Sequence, residues 1–236
     1  SKGIVAEICA AFAEAGADIV AVARDPVGLA EVARAVEAKG RRCLTIAADL
    51  ADAAQTRGAA TQALSDWGTI DILVNNAAVA LIEPALTASV ENWDLTMAVN
   101  IRAPFILSQA LAPGMIAQRW GKIINISSQT GVIALDDHAA YATSKGGLNA
   151  LTKSLCIEWA RHNVQVNAIC PTVVLTPMGR RTWGPPGKSG PMLAKTPAGR
   201  FGETVEIADM ALYLASPASG LVNGAIMMIE GGYTSA

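Results

Sequence analysis

Short apolar runs alternate with amphipathic segments along almost the whole 236-residue chain, and this alternation constrains the fold more than any other feature. Predominantly apolar runs, such as residues 19–23 and 70–74, suit parallel strands that are buried on both faces. Between these runs, apolar residues recur at helical spacing. The sequence therefore predicts an α/β fold, in which a single domain contains a doubly wound parallel sheet with helices on both faces.

The pattern assigns most of the chain to regular elements. The predicted strands are residues 19–23, 43–47, 70–74, 123–126, 164–169 and 225–229. The predicted helices begin near Ile4 and cover residues 27–39, 53–67, 91–118, 141–161 and 204–215. The helix 91–118 is expected to be interrupted near Pro104 and Pro113, because proline in a helix interior removes a hydrogen bond and clashes with the preceding turn.

One segment, residues 171–203, lacks this alternation and contains six prolines and six glycines. It follows the end of a predicted strand, and ligands of open α/β sheets bind at strand ends. Long loops in compact domains are often lids or binding loops, so we expect a substrate lid. The alternative is an excursion of the surface without a role in binding.

Composition narrows the classes of partner and compartment. A net charge of −2 argues against a nucleic acid or an anionic membrane as the main partner. No apolar run reaches the ~18 residues that span a bilayer, and no signal-peptide pattern opens the chain, so we expect a cytoplasmic protein. The four cysteines form no CxxC pair and there are two histidines, so we expect no metal site and isolated thiols.

Several short motifs occur in a fixed order. They are Ser1-Lys2-Gly3-Ile4 opening a helix, Asn75-Asn76-Ala77, Asn100, Ser128, Tyr141 with Lys145, and Pro171-Thr172. Over essentially its whole length the chain resembles the short-chain dehydrogenase/reductase family, which has a Rossmann-type fold. It is most similar to the dicarbonyl/L-xylulose reductase branch, through residues 75–81 (NNAAVAL) and 171–183 (PTVVLTPMGRRTW). The family pattern has a strand and a glycine before this point, so we expect a central first strand to precede Ser1.

The resemblance implies a nicotinamide cofactor on the loop formed by Ser1, Lys2, Gly3 and Ile4. A glycine-rich turn at a helix start exposes N–H groups to a pyrophosphate. Val5 replaces a family glycine, and we expect it to push the helix outward or to need a smaller neighbour. Arg24 follows Ala23, where related NAD enzymes carry an acid, and an arginine can pair with a 2′-phosphate, which favours NADP(H). In the alternative, Arg24 is a solvated charge and Asp25 binds the ribose of NAD.

Further cofactor contacts are carried over from the family pattern. They are Asp49, Leu50, Asn76, Ala77, Pro171, Val174 and Thr176, together with Tyr141 and Lys145. Asp49 is expected at the adenine, or else as a helix N-cap. Asn76 is expected beside the adenosine, or else as a turn former.

The resemblance assigns catalysis to Asn100, Ser128, Tyr141 and Lys145. Tyr141 would give a proton to the substrate oxygen, but the pKa of a free phenol is ~10 and must fall by about 3 to match neutral pH. Lys145 lies four residues later on the same helical face, and its ammonium favours the phenolate. Ser128, or its neighbour Ser127, would donate to the substrate oxygen. Asn100 would distort its helix and hold a water that links Lys145 to solvent, unless it is a satisfied core asparagine.

The expected substrate site comprises Ser128, Gln129, Leu135, His138, Tyr141 and Trp183. Their hydrogen-bonding groups and the indole face suit a polyol, a ketose such as L-xylulose, or a small α-dicarbonyl. His138 could instead be an exposed loop residue, and Trp183 could pack on its own loop.

Two other functions stay open at this point. They are an NAD-dependent polyol dehydrogenase and a non-catalytic NADP-binding or assembly protein. The resemblance also implies a homotetramer or homodimer that pairs through the long helices. The face with Leu148, Leu155 and Trp159 is available for such pairing.

Overall fold

A computed structural model of the protein describes residues 3–176, 179, 180 and 183–235. Its strands are β1 Ile19–Ala23, β2 Cys43–Ala47, β3 Ile72–Asn75, β4 Gly121–Ile126, β5 Val164–Pro171 and β6 Ile226–Ile229. Its α-helices are α1 Ile4–Glu14, α2 Pro26–Glu37, α3 Ala53–Trp67, α4 Val90–Met97, α5 Ala103–Ala117, α6 Ala139–Trp159, α7 Pro186–Ala194 and α8 Thr204–Ala215. Ser1 and Lys2, both predicted at the cofactor, lie outside the described residues.

The strands pair in parallel throughout, as predicted, so their carboxyl ends meet along one edge. β3, β4, β5 and β6 form one sheet in that order, and β1 pairs with β2. Within the described residues, β1 has no partner other than β2 and β3 none other than β4, so each keeps one unpaired edge. Ile19 of β1 and Ile124 of β4 nevertheless belong to one core cluster. The further central strand stays a prediction.

Helices cover both faces of the sheet, which confirms the doubly wound class. One core cluster contains apolar residues of α1, α2 and α8, such as Phe12, Leu29 and Ile207. A second cluster on the other face contains residues of α3, α5 and α6, such as Met115 and Leu155. The apolar stripe of each helix is therefore buried against the strands that the sequence pattern identified.

The long helix is interrupted just before Pro104, one of the two predicted places, and is not interrupted at Pro113. α4 ends at Met97, a π-helical turn covers Ala98–Arg102, and α5 follows directly. Pro104 lies in the first turn of α5, where a backbone N–H has no intrahelical partner and proline is tolerated. Pro113 lies inside α5 without ending it. The run Val90–Ala117 is long and apolar enough to span a membrane by length and composition, and 56% of its most apolar window is buried within the protein.

The segment 171–203 is not the continuous loop that we predicted. It contains α7, which the sequence pattern missed because Pro191 and the glycines lower helix propensity. A bridge between Val174 and Gly202 joins the two ends of the segment, with the Leu175 N–H donating to the Gly202 carbonyl at 2.8 Å. Its role as a lid stays a prediction.

The apolar face of α6 is not free for a partner subunit, contrary to expectation. Leu148 and Leu155 are 1% and 5% exposed, and Trp159 is half-buried against the same core as Leu155. These residues face the sheet, because an amphipathic helix buries its apolar stripe in its own domain first. Ile157 is the exposed apolar residue of α6, at 83%.

Candidate functional site

Tyr141 and Lys145 lie one turn apart on α6, as their spacing predicted. The Lys145 Nζ atom is 5.7 Å from the centroid of the Tyr141 ring, within the range of a cation–π interaction. α6 begins beside the carboxyl end of β4, so its first turns bring both side chains to the edge where the parallel strands end. The phenol and the ammonium therefore share one small region.

The Lys145 ammonium is buried without a carboxylate. The side chain is 2% exposed, and Nζ donates to the carbonyl oxygen of Ile126, the last residue of β4, at 2.8 Å. Burial lowers the pKa of Lys145 from 10.5 to about 8, and the nearby Cys170 thiol opposes this fall. The group thus stays mostly protonated at pH 7.

The pKa of Tyr141 moves in the direction opposite to our expectation. Burial raises it above the usual value of 10, because a phenolate loses its hydration inside the protein. The Ser128 hydroxyl lies close enough to oppose this rise by hydrogen bonding. Lys145 does not offset it, since its ammonium is directed at the Ile126 carbonyl. In this state of the protein Tyr141 is a protonated phenol at neutral pH.

Ser128 follows β4 and precedes a 3₁₀ turn, Gln129–Gly131. Its Oγ accepts from the Thr130 N–H at 3.2 Å and from the Thr130 hydroxyl at 2.9 Å, which leaves its own hydrogen free to donate. Ser127, the alternative, donates its hydroxyl to the Lys145 carbonyl at 3.2 Å. The Ser127 hydroxyl thus joins the end of β4 to α6, whereas the Ser128 hydroxyl lies beside Tyr141.

Asn100 lies in the π-helical turn, and the expected distortion of the long helix is centred there. Its Oδ1 accepts from the Val79 N–H, and its Nδ2 donates to the Val79 carbonyl and to the Ser144 hydroxyl, each at 2.9 Å. Ser144 in turn donates to the Tyr141 carbonyl at 2.7 Å. Asn100 is therefore a fully buried, well-satisfied amide that ties the loop after β3 to α6. The water relay stays a prediction.

The turn at Gly3 fits a bound phosphate group. Gly3 has φ of +72°, and a Cβ there would be 2.8 Å from the Thr176 Cγ2, so Gly3 and Thr176 are in close approach. No side chain of the described residues caps α1, which leaves N–H groups of its first turn for an anion. Ile4 opens the helix, and Val5 packs against the main core cluster. A cavity of about 290 Å³ extends from Gly3 between α1 and α2.

At the end of β1, Arg24 is exposed and has no ion pair among the described residues. Asp25 is the N-cap of α2, and its Oδ1 accepts from the Val27 N–H at 3.0 Å. This capping bond engages one of the two oxygens that the NAD alternative would require.

The alternative role of Asp49 as a helix N-cap is wrong. Asp52 caps α3, with its Oδ1 accepting from the Ala54 N–H at 2.7 Å. Asp49 instead accepts from the Ala51 N–H at 3.0 Å within a short turn. Leu50, beside it, is buried at 9% exposure.

The remaining predicted cofactor residues lie at the carboxyl ends of two strands. Asn76, half-buried, and Ala77, exposed, follow β3, whereas Pro171 ends β5 and Val174 is buried beyond it. Three buried oxygens at this edge, Asn75 Oδ1, Gln129 Oε1 and Thr172 Oγ1, have no hydrogen-bond partner among the described residues. Unsatisfied buried polar atoms fit a site that receives a polar ligand.

The predicted substrate residues are brought together only in part. His138 is the N-cap of α6, and its ring meets the Tyr141 ring edge-on with 6.2 Å between centroids. Gln129 is 2% exposed in the turn after Ser128, and Leu135 is half-buried in the loop before α6. Trp183 is half-buried, and no hydrogen bond or ring contact of the described residues joins it to Tyr141.

Two residues of this region escaped the sequence analysis. Cys170 was taken for an isolated thiol, yet it lies against Ser127, Ser128 and Lys145. Asn149 is one turn after Lys145 on the same helical face, and that spacing was the available signal. No group of three or more potential metal ligands occurs in the part of the chain that the structure describes.

Comparison with known proteins gives one family model that matches residues 1–234, described as enoyl-(acyl carrier protein) reductase. A D-threitol dehydrogenase of Mycolicibacterium smegmatis is 41% identical, covering 99% of this chain and 90% of the relative. The mouse L-xylulose reductase is 42% identical, covering 98% and 92%. An NAD-dependent glycerol dehydrogenase of Listeria innocua is 47% identical over 70% of this chain and 65% of its own.

A solved structure gives the same result for the fold. The gluconate 5-dehydrogenase of Burkholderia cenocepacia, in complex with NADP and tartrate, matches with a TM-score of 0.94 and 37% identity. The match covers 100% of this chain and 92% of that one.

Proposed function

Because the chain belongs to the short-chain dehydrogenase/reductase family, we propose that it is an NADP(H)-dependent enzyme that reduces a small polar carbonyl compound to the alcohol. The family assignment makes it an oxidoreductase acting on the CH–OH/C=O pair with a nicotinamide cofactor. The observation that carries the proposal is the arrangement of Tyr141, Lys145 and Ser128 at the ends of the strands.

Tyr141, Lys145 and Ser128 each have a different role in the proposed proton transfer. A nicotinamide, when bound, supplies the hydride that the carbonyl carbon accepts. Ser128 has a free O–H to donate to the carbonyl oxygen, and Tyr141 holds the proton that this oxygen needs. Burial raises the pKa of Tyr141, so the phenol is protonated at pH 7 but releases its proton only if the phenolate is stabilised. The Lys145 ammonium, which donates to the Ile126 carbonyl in the unreacted site, would favour the phenolate by turning toward it.

The cofactor loop and the end of β1 support NADP(H). Gly3 offers backbone to a pyrophosphate, and the unpaired Arg24 guanidinium suits a 2′-phosphate. Asp25, which would bind the ribose hydroxyls of NAD, is already the N-cap of α2. Asp49, Leu50, Asn76, Ala77, Pro171, Val174 and Thr176 are proposed to line the rest of the cofactor site.

We propose a ketose such as L-xylulose, or an α-dicarbonyl, as the substrate. The unsatisfied Gln129 oxygen and the His138 ring beside Tyr141 are suited to substrate hydroxyls. The relatives named for reactions of polyols and ketoses support this substrate class. Leu135 and Trp183 would add apolar surface.

The test is a screen of NADPH oxidation over ketoses, diketones and aldehydes, followed by cofactor titration of variants. Arg24→Ala is expected to raise the Kd of NADPH at least tenfold and to change that of NADH less than twofold. Arg34→Ala, an exposed arginine on α2, is the matched control and should leave both unchanged. Equal responses of NADPH and NADH to Arg24→Ala contradict the cofactor assignment.

Two alternatives have their own outcomes. The NAD-dependent glycerol dehydrogenase among the relatives favours an NAD-dependent polyol dehydrogenase, which would give polyol oxidation with NAD and no effect of Arg24→Ala. Tight NADPH binding without turnover of any carbonyl would indicate a non-catalytic binding or assembly protein.

We propose a cytoplasmic homotetramer or homodimer, without a nucleic-acid or membrane partner. Phe105 on α5 and Ile157 on α6 are 42% and 83% exposed, and such apolar side chains are often covered in assemblies. Light scattering coupled to size-exclusion chromatography tests this, and a monomer at micromolar concentration contradicts it.

A further inference from the structure

Asn149 joins α6 to two other elements at the edge of the proposed active site. It lies one turn after Lys145 and is 7% exposed. Its Nδ2 donates to the Gly131 carbonyl at 3.2 Å, in the turn that follows Ser128. Its Oδ1 accepts from the Cys170 thiol, with 3.7 Å between oxygen and sulfur, at the end of β5. One amide thus contacts both segments that flank the reacting groups.

The turn after Ser128 approaches the backbone of α6 very closely. A Cβ on Gly131 would lie 2.9 Å from both the carbonyl carbon and the carbonyl oxygen of Lys145, and 2.8 Å from Asn149 Nδ2. Such distances leave no room for a side chain. The turn is therefore in van der Waals contact with the helix, and the hydrogen bond from the Asn149 amide to the Gly131 carbonyl joins the two.

Cys170 is the second partner of the Asn149 amide. It is fully buried, and its sulfur is within hydrogen-bond reach of the Ser128 backbone N–H. Burial raises the pKa of its thiol, so the S–H group remains a donor at neutral pH. A donor at Oδ1 and a carbonyl at Nδ2 fix one orientation of the Asn149 amide, since the reverse orientation would oppose like groups.

We propose that Asn149 is a positioning residue for the reaction: through Gly131 and Cys170 it sets the distance between the Ser128 hydroxyl and the Tyr141 phenol. The proposal rests on the proposed function. Ser128 is carried by the turn, Tyr141 by the helix, and both must reach one substrate oxygen at ~3 Å. A misplacement of about 1 Å can lower the rate ~100-fold. A side chain that fixes the turn bearing Ser128 against the helix bearing Tyr141 should therefore affect kcat.

The experiment compares Asn149→Ala with variants of its partner, using purified full-length protein, NADPH and the best carbonyl substrate of the screen. Asn149→Ala is expected to lower kcat about 10- to 100-fold and to change the Kd of NADPH less than twofold. Cys170→Ser retains a donor for Oδ1 and should keep kcat within about threefold. Cys170→Ala removes that donor and should lower kcat about three- to tenfold. The double variant Asn149→Ala/Cys170→Ala should be no slower than Asn149→Ala, because both changes break one network.

Asn223→Ala is the matched control. Asn223 is half-buried and makes two side-chain hydrogen bonds to the backbone of β5, at the end remote from Ser128. It should lower Tm as much as Asn149→Ala does and leave kcat unchanged. A general loss of stability would affect both variants alike, whereas a positioning role affects kcat in one of them.

The outcomes separate the two proposals. A wild-type protein without carbonyl reductase activity overturns the proposed function. An active wild-type protein whose kcat is unchanged by Asn149→Ala overturns the positioning role alone. If Asn149→Ala does not fold, Cys170→Ala and Cys170→Ser decide: equal kcat values for these two variants overturn the proposal, and a slower Cys170→Ala with normal NADPH binding supports it.

Discussion

Lys145→Met is expected to make the protein more stable while removing its activity. The Lys145 ammonium is 2% exposed, has no carboxylate partner among the described residues, and donates to the Ile126 carbonyl. Burial lowers its pKa from 10.5 to about 8. At about 1.4 kcal/mol for each pKa unit, burying this charge destabilises the folded state by about 3 kcal/mol.

Methionine fills a similar volume without a charge. The substitution also removes the hydrogen bond to Ile126, which is worth about 1 kcal/mol. The net effect at pH 7 is therefore a gain of about 2 kcal/mol in the free energy of unfolding. Loss of a positioned charge from proton transfer should lower kcat by at least ~100-fold.

The stability difference between Lys145→Met and the wild type should decrease as the pH rises. Below pH 8 both folded and unfolded chains carry the Lys145 proton, and the full destabilisation is present. Between pH 8 and 10.5 the folded chain binds fewer protons than the unfolded chain, so raising the pH stabilises the wild type relative to Lys145→Met. The advantage of the variant should shrink to about zero at pH 10.

The assay is urea unfolding of both proteins at pH 7, 8, 9 and 10, followed by tryptophan fluorescence at one protein concentration. Lys122→Met is the matched control, because Lys122 is also buried but donates to the Gln165 amide oxygen, the Ser216 carbonyl and the Ser219 hydroxyl. It should lose about 1–3 kcal/mol, since it removes the three hydrogen bonds that the ammonium donates, and should keep its kcat. A Lys145→Met variant that is less stable than wild type at pH 7, or whose stability difference is constant up to pH 10, refutes the reasoning.

Three further predictions concern close packing and burial. Gly131→Ala should lower kcat at least tenfold in the NADPH assay, because its Cβ would overlap the Lys145 backbone. In the control, Gly146→Ala, the new Cβ meets no heavy atom closer than 3.7 Å, and stability should rise by ~0.5–1 kcal/mol with kcat unchanged. Equal kcat values for the two variants would contradict the close contact at Gly131. Asn100→Leu breaks three buried hydrogen bonds and should lower Tm by about 6–12 °C in a thermal melt, and a change under 2 °C would contradict the role of its amide. Cys9, whose pKa burial raises to about 11, should resist iodoacetamide at pH 8 as measured by mass spectrometry, and rapid labelling in the folded protein would contradict its burial.

The sequence predicted the elements whose pattern depends on local physics. β1, β2, α3 and α8 have the bounds that apolar periodicity and terminal residues indicated. A strand buried on both faces and a helix with one apolar stripe each have a characteristic spacing of apolar residues, which can be recognised without knowing their tertiary contacts. The pairing of Tyr141 with Lys145 was predicted for the same reason, since residues four apart share a helical face.

The failures arise where tertiary contacts override local preference. An interruption was expected near Pro113, which lies within α5 without ending it. The break occurs instead in the π-helical turn that contains Asn100, whose amide bonds to Val79 some twenty residues earlier. The direction of the Tyr141 pKa was also missed, because the spacing to Lys145 shows proximity and not where the ammonium points. Cys170 and Asn149 escaped notice because their meeting depends on how α6 packs against β5.

The two buried lysines show how charge is distributed along the sheet. Lys122, at the amino end of β4, has three acceptors around its ammonium, an arrangement that serves stability. Lys145, at the carboxyl end of the same strand, has a single carbonyl and a neighbouring phenol. A structure selected for stability alone would have placed an apolar residue there. The under-satisfied ammonium remains available to a phenolate and to a polar ligand at the strand ends, and this difference between the two ends of β4 is what a catalytic role for Lys145 explains.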